Sequence, residues 1–177
     1  MVLSPEKFTE QARQVLSDSQ AIVRRYRHSQ WDVEHVLLAL LELESGLTAD
    51  VLGKLGILLE PVRDQVRGAL EKFPKMATET NQIYATPRAA QMLENARLEA
   101  EHMKDEFIGT EHLLIAATME RDGESRQILK DAGIDQENVY RALMQVRGSH
   151  RVDDPRAESK YRSLEKYSID LTKLAEE

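Results

Sequence analysis

Two acid–imidazole pairs stand 77 residues apart in this chain, Glu34-His35 and Glu111-His112. A carboxylate beside an imidazole can hold a divalent cation or pass a proton. Neither pair has the geometry for it. Adjacent residues of a helix diverge by about 100°, so the two side chains of a pair cannot close on one ion. The spacing H-E-x-x-H, which would place two imidazoles on one helical face, does not occur, and neither does a phosphate-cradling G-x-x-x-x-G-K-[ST] or G-x-G-x-x-G loop. No serine or threonine sits in a nucleophile elbow. With no cysteine at all, thiol catalysis, disulfides and Cys-ligated zinc are excluded together. No catalytic apparatus, metal or cofactor is expected in the chain itself. Binding is the chemistry left.

The pairs are matched because the whole surrounding sequence is. Phe8–Leu70 laid on Ala85–Arg147 without a gap agrees in residue chemistry throughout. Thr9 meets Thr86, Leu16 meets Leu93, Leu37 meets Leu114, Gly46 meets Gly123, and Gly56-Ile57 meets Gly133-Ile134. The period is longer than that of open solenoids, so it reads as a duplicated four-helix unit.

Helical spacing supports that reading. Ser4-Pro5 is a cap followed by proline, a helix start signal, and Phe8, Ala12, Val15, Leu16, Ile22 and Val23 recur after it as an apolar stripe. This places Thr9 inside the first helix. Thr86-Pro87 repeats the signal for the fifth helix, with Thr86 as the N-cap. The second helices, around Val33–Leu41 and Leu113–Ala117, are apolar enough to be central. The third should stop at Gly56 and Gly133 in Schellman motifs, with Ile57 and Ile134 packing back on Leu52 and Leu129. Thr110 reads as the cap of the sixth helix, with Glu111 at its first position, favourable for the dipole. Val33 stands in the matching place, so that cap moves to Asp32, and Trp31 before it reads as a hydrophobic staple.

Residues 73–84 (FPKMATETNQIY) form a connector. Residues 149–177 are polar, then charged, with a thin stripe of Tyr161, Leu164, Tyr167, Leu171 and Leu174 that ends without a stop signal, the mark of a chain that continues. The domain expectation is one all-α repeat domain over 1–148 (repeats 8–72 and 85–148) followed by a linker over 149–177. A net charge of −7 argues against nucleic-acid backbone binding. The basic run Arg24–His28 sits at a helix end, where cations complement the dipole. No apolar leader opens the chain and no window nears the roughly 18 apolar residues of a membrane span. A cytoplasmic location is expected.

FTEQARQVL, TPRAAQMLENA and FIGTEHLLIA closely resemble the duplicated amino-terminal domain of the Clp ATPases, the ring-forming AAA+ unfoldases, over the whole chain. RVDDPRAESKYRSLEKYSIDLTKLAEE resembles the lead-in to the first ATPase module of ClpB-type disaggregases. The resemblance implies a substrate-binding domain of an ATP-driven, hexameric chaperone that threads aggregated polypeptide and works with an Hsp70-type chaperone. ATP and magnesium would belong to modules beyond residue 177, and the isolated chain would be a monomer. It implies client contacts at Thr9, Leu93, Asp105, Glu111 and His112, with Glu34 as the first-repeat counterpart of Glu111. The apolar groove would lie between the first and second helices of the repeats. Asn95, Glu99 and His112 fall at positions apolar in some relatives, which implies a more polar groove here. The alternatives are a ClpC- or ClpA-like domain, in which Glu34 and Glu111 receive an adaptor or a phosphoarginine client, and a stand-alone interaction protein.

Overall fold

The computed structural model describes residues 4–43, 45–78, 82–148 and 150–158; the apolar stripe from Tyr161 to Leu174 lies outside them. A 3₁₀ turn over Pro5–Lys7 precedes α1 (Glu10–Arg25), β1 (Gln30–Trp31), α2 (Val33–Glu42), α3 (Leu47–Lys54) and α4 (Leu59–Glu71). The second repeat follows with β2 (Tyr84–Ala85), α5 (Pro87–His102), α6 (Thr110–Thr118), α7 (Glu124–Asp131) and α8 (Gln136–Arg147). The fold is all-α, as the periodicity required.

α2 and α6 are buried nearly all round, from Val33 to Leu41 and from Thr110 to Ala117. Helices apolar on every side have no solvated face and belong at the centre. α2 meets α6 there, but the two repeats also interlock: α3 packs on α8, and its symmetry mate α7 packs on α4. Both third helices stop as the sequence requires. Gly56 and Gly133 take φ of 72° and 81°, a left-handed backbone open to glycine. The amides of Ile57 and Ile134 reach back to the carbonyls of Leu52 and Leu129 at 3.1 and 2.8 Å, closing the Schellman loops.

The repeats are joined at their starts by two short parallel contacts. Trp31 pairs with Ala85 in the β1–β2 ribbon, and Phe8 pairs with Ile108 in an isolated bridge. Adding 77 to Trp31 and subtracting it from Ala85 gives Ile108 and Phe8, so the second contact is the first one seen through a pseudo-two-fold axis. This bridge corrects the expected start of α1. Ser4-Pro5 opens only the 3₁₀ turn; the backbone then runs extended through Phe8, whose neighbours bond across to Ile108. α1 therefore begins at Glu10, and Thr9, expected inside the helix, is its N-cap, accepting the Ala12 amide at 3.1 Å. Thr86 caps α5 through the Ala89 amide in the same way. Asp32 caps α2 as expected, through the Val33 amide at 2.8 Å.

A second correction falls at α6. Thr110 is its first residue, not its cap; Gly109 holds the capping position and Glu111 follows one place later than expected. The cap chemistry is there without a cap side chain. His112 Nδ1 accepts the Gly109 amide at 2.8 Å, as His35 Nδ1 accepts the Asp32 amide at 2.9 Å. The carboxylate comes from elsewhere in the chain.

Candidate functional site

The pseudo-two-fold axis opens into a cleft of about 660 Å³ between α1 and α5. Its apolar floor and walls come from Phe8, Leu16, Trp31, Ala85, Ala90 and Leu93, and its rim from Arg13, Ser17, Gln20 and Glu94. Much of the lining consists of matched positions: Phe8 with Ala85, Arg13 with Ala90, Leu16 with Leu93, Ser17 with Glu94. The groove thus lies between the first helices of the two repeats, not between the first and second helices of each. Leu16 and Leu93 are half-buried, with apolar surface left facing the cleft. Trp31 is buried with its indole N–H donated to Ser19 Oγ at 2.7 Å, which fixes the ring as one wall. An apolar trough with a polar rim takes up apolar side chains of a peptide with little sequence demand.

Of the sequence-derived site residues, Leu93 alone lines this groove. Asn95 accepts Gln91 on the outer face of α5, Glu99 takes the Tyr140 hydroxyl, and His112 is buried under α6, so none of the three makes the groove more polar.

The other site residues form two buried clusters at mirror-related places. In the first, Arg88 stands over Glu34 and Asp32, with Nη2 at 3.0 Å from Glu34 Oε1 and Nη1 at 3.1 Å from Asp32 Oδ2. Arg88 Nε also meets Glu120 at 3.1 Å. Although burial pulls the other way, these carboxylates hold its guanidinium above its ordinary pKa. Asp32 Oδ1 additionally accepts Thr86 Oγ1–H at 2.9 Å.

The second cluster gathers Thr9, Asp105, Glu111 and His112, all buried, with two residues that sequence reasoning did not single out, Arg147 and Glu158. His112 Nε2–H donates to Asp105 Oδ2 at 2.7 Å, and Arg147 donates to Asp105 Oδ1. The Val152 amide adds a third bond to Asp105 at 2.9 Å. Against the cost of burial, these bonds hold the Asp105 carboxyl below its usual range. Glu158 Oε1 accepts Thr9 Oγ1–H at 2.7 Å and the Thr110 amide at 3.1 Å. It stands where the missing cap carboxylate of α6 would be, as Asp32 stands between Thr86 and the Val33 amide. Gly109 makes the room: a Cβ there would collide with the Glu111 carboxylate and lie 2.7 Å from Glu158 Oε1. Burial pushes the Glu111 carboxyl up to about 7, with Glu158 adding to the effect and His112 and Arg147 opposing it. The Glu158 carboxyl is raised by burial as well. The signal for Arg147 and Glu158 was slight. Arg147 matches Leu70 in register, a charge where its mate is apolar, and Glu158 has no mate.

Among the described residues no group of acids and imidazoles could hold a metal ion, and no helix is long and apolar enough to cross a membrane.

A family model, the Clp repeat (R) N-terminal domain, matches residues 7–132. The chain is 39% identical over 175 residues to the chaperone protein ClpB 1 of Nostoc sp., covering 97% of this chain and 19% of that protein. It is 34% identical over 173 residues to ClpB 2 of Synechocystis sp., covering 98% of this chain and 20% of that one. The chain thus spans about a fifth of the length of these relatives. The fold is shared with the Hsp104 N-terminal domain from Candida albicans, with a TM-score of 0.76, 21% identity, and coverage of 86% of this chain and 99% of that one.

Proposed function

We propose, for a chain that belongs to the Clp repeat N-terminal domain family, that it is the client-capturing domain of a ClpB-type disaggregase. The α1–α5 groove receives apolar segments of unfolded or aggregated polypeptide. The groove carries this reading: an open apolar trough rimmed by Arg13, Ser17, Gln20 and Glu94, of a size for two or three side chains. Residues 1–148 form the capturing domain and 149–177 lead toward an ATPase module. There ATP and magnesium drive threading by a cytoplasmic homohexamer in concert with an Hsp70-type system. This chain by itself is a monomer without catalytic chemistry. Leu93 touches the client. Thr9, Asp105, Glu111, His112 and Glu34 act from beneath, by holding the helix starts that frame the groove.

The adaptor or phosphoarginine reading asks Glu34 and Glu111 to receive a guanidinium. Glu34 already holds Arg88, and Glu111 is 1% exposed, so neither is open to such a ligand as the chain is folded here. Replacing Leu16 and Leu93 together by glutamate tests the groove. Binding of an unfolded model protein should weaken at least ten-fold, about 1.4 kcal/mol or more. Thermal melting should hardly change, because both side chains are half-exposed. Unaltered client binding in that variant would overturn the proposal.

A further inference from the structure

Residues 150–158 do not leave the repeats where α8 ends; they turn back and are fastened to them. Val152 and Ala157 are buried. The amides of Glu106 and Phe107 both donate to the Val152 carbonyl, at 2.8 and 3.1 Å, and the Glu10 amide donates to the Pro155 carbonyl at 2.9 Å. The last described residue, Glu158, is 0% exposed; its carboxylate takes the Thr110 amide at the start of α6 and the hydroxyl of Thr9, the N-cap of α1.

That carboxylate is introduced beside another. Both Glu111 and Glu158 crowd the space over the Gly109 Cα. Neither oxygen of Glu111 has a hydrogen-bond partner, nor has Glu158 Oε2. The groups facing the pair come from every element around it. The start of α1 offers Thr9, whose hydroxyl Glu158 already holds. α6 offers His112, with Nδ1 at 3.9 Å from Glu111 Oε1 but already accepting the Gly109 amide, so that nitrogen carries no proton. α8 offers Arg147, with Nη1 at 3.7 Å from Glu111 Oε2 and Nη2 on Asp105. The Arg147 guanidinium thus meets Asp105 and Glu111, and Glu158 brings a third buried carboxyl to the cluster. Among the described residues no carboxyl enters the mirror cluster from outside the repeats, and Arg88 sits directly on Glu34.

We infer that Glu111 and Glu158 hold one proton between them across Gly109, and that this proton is the clasp of the 150–158 segment. With it, the pair carries one negative charge instead of two, and the segment stays docked on Thr9 and Thr110. Without it, two carboxylates repel in a buried site, Glu158 moves out to water, and the segment is released. Thr9, Gly109 and Glu111 are then positioning residues for the 150–158 segment. The inference stands on this cluster alone, whatever the groove binds.

The sign is set by the direction of the shifts. Both carboxyls are raised in the docked state, so docking is strongest below their ordinary value near 4.5 and is lost as pH rises toward about 7. Amide exchange of Val152 and Thr110, followed by NMR in the full chain and corrected for intrinsic rates, reads docking directly. Protection should fall at least about ten-fold between pH 5 and pH 8, while the buried Val51 in α3 keeps its own. Glu111→Gln removes one charge and should give a flat, protected profile. Glu158→Gln keeps an oxygen for Thr9 and Thr110 and should do the same, serving as the test if the first variant fails to fold. Glu158→Ala should lose Thr110 protection at both pH values. Equal Val152 protection at pH 5 and pH 8 in the unaltered chain would overturn the inference. So would a pH dependence that persists in whichever glutamine variant folds.

Discussion

Among the matched positions at which the repeats differ, three decide what a buried carboxylate does. Arg88 is matched by Gln11, Asp105 by His28, and Gly109 by Asp32. Glu34 is neutralised where Arg88 is present, whereas Glu111, with Gln11 at the position that matches Arg88, is left with more acid than base. Removing one partner of a buried pair leaves a charge uncompensated and costs about 3–5 kcal/mol when both are fully buried. Arg88 keeps a side-chain exposure of 27%, so the cost should lie toward the low end. Arg88→Leu is accordingly expected to lower stability by about 2–3 kcal/mol, and Gln11→Leu to leave it nearly unchanged. Urea unfolding of the two variants checks the contrast; equal midpoints would mean that Glu34 does not depend on Arg88. Gly109→Ala should destabilise by at least about 1–3 kcal/mol, because a methyl group there displaces the Glu111 and Glu158 carboxylates. Thr9 is legible as a cap through its match to Thr86, but the Ser4-Pro5 start signal competes with that match and, read alone, puts Thr9 inside the helix. Gly109 was not legible, because its partner arrives from 49 residues downstream.

Helices and their stops were the most readable level, since they depend on local spacing. The apolar runs at Val33–Leu41 and Leu113–Ala117 needed only their composition to be placed at the centre, and Gly56 and Gly133 only their following isoleucines. What spacing could not supply was which helices line the groove, because α1 and α5 come together through the Trp31–Ala85 and Phe8–Ile108 contacts. The same local logic gives the starts of α2 and α6 opposite responses to acid. His35 Nδ1 accepts the Asp32 amide, so its Nε2–H donates to His28 Nδ1 at 2.8 Å, a chain that requires a neutral ring. Burial, with His28 adding to it, depresses His35 to about 4, and burial lowers His28 too. An imidazole with a depressed pKa stabilises the fold above its ordinary value near 6.5, and that contribution is lost as pH falls toward about 4. Between pH 7 and pH 5, α2 should therefore lose amide protection while the 150–158 segment gains it. Histidine ring shifts provide the check. A His35 that titrates near 6.5 would show that its hydrogen-bonded chain does not keep it neutral.

The whole molecule is organised around one pseudo-two-fold axis, and the groove lies on it. A site on a two-fold axis presents the same walls to a peptide running in either direction. The apolar pairs Phe8 with Ala85 and Leu16 with Leu93 approach that symmetry, while Arg13 against Ala90 and Ser17 against Glu94 break it at the rim. Apolar burial is non-directional and scales with area, so the matched apolar pairs distinguish chain polarity little. The unmatched Trp31 wall and the rim charges can, and exposed charges contribute about 0–1 kcal/mol each. A peptide with apolar residues at alternate positions and its reversed-order counterpart should therefore bind within about five-fold of each other, which is near 1 kcal/mol. What difference remains should shrink in high salt as the rim is screened. Replacing Arg13 by alanine makes the rim more alike at the matched position 90 and should bring the two affinities closer still. Fluorescence anisotropy with the two peptides decides it. A preference above ten-fold that survives both high salt and Arg13→Ala would mean that backbone hydrogen bonds along the β1–β2 edge, not the apolar floor, select the client.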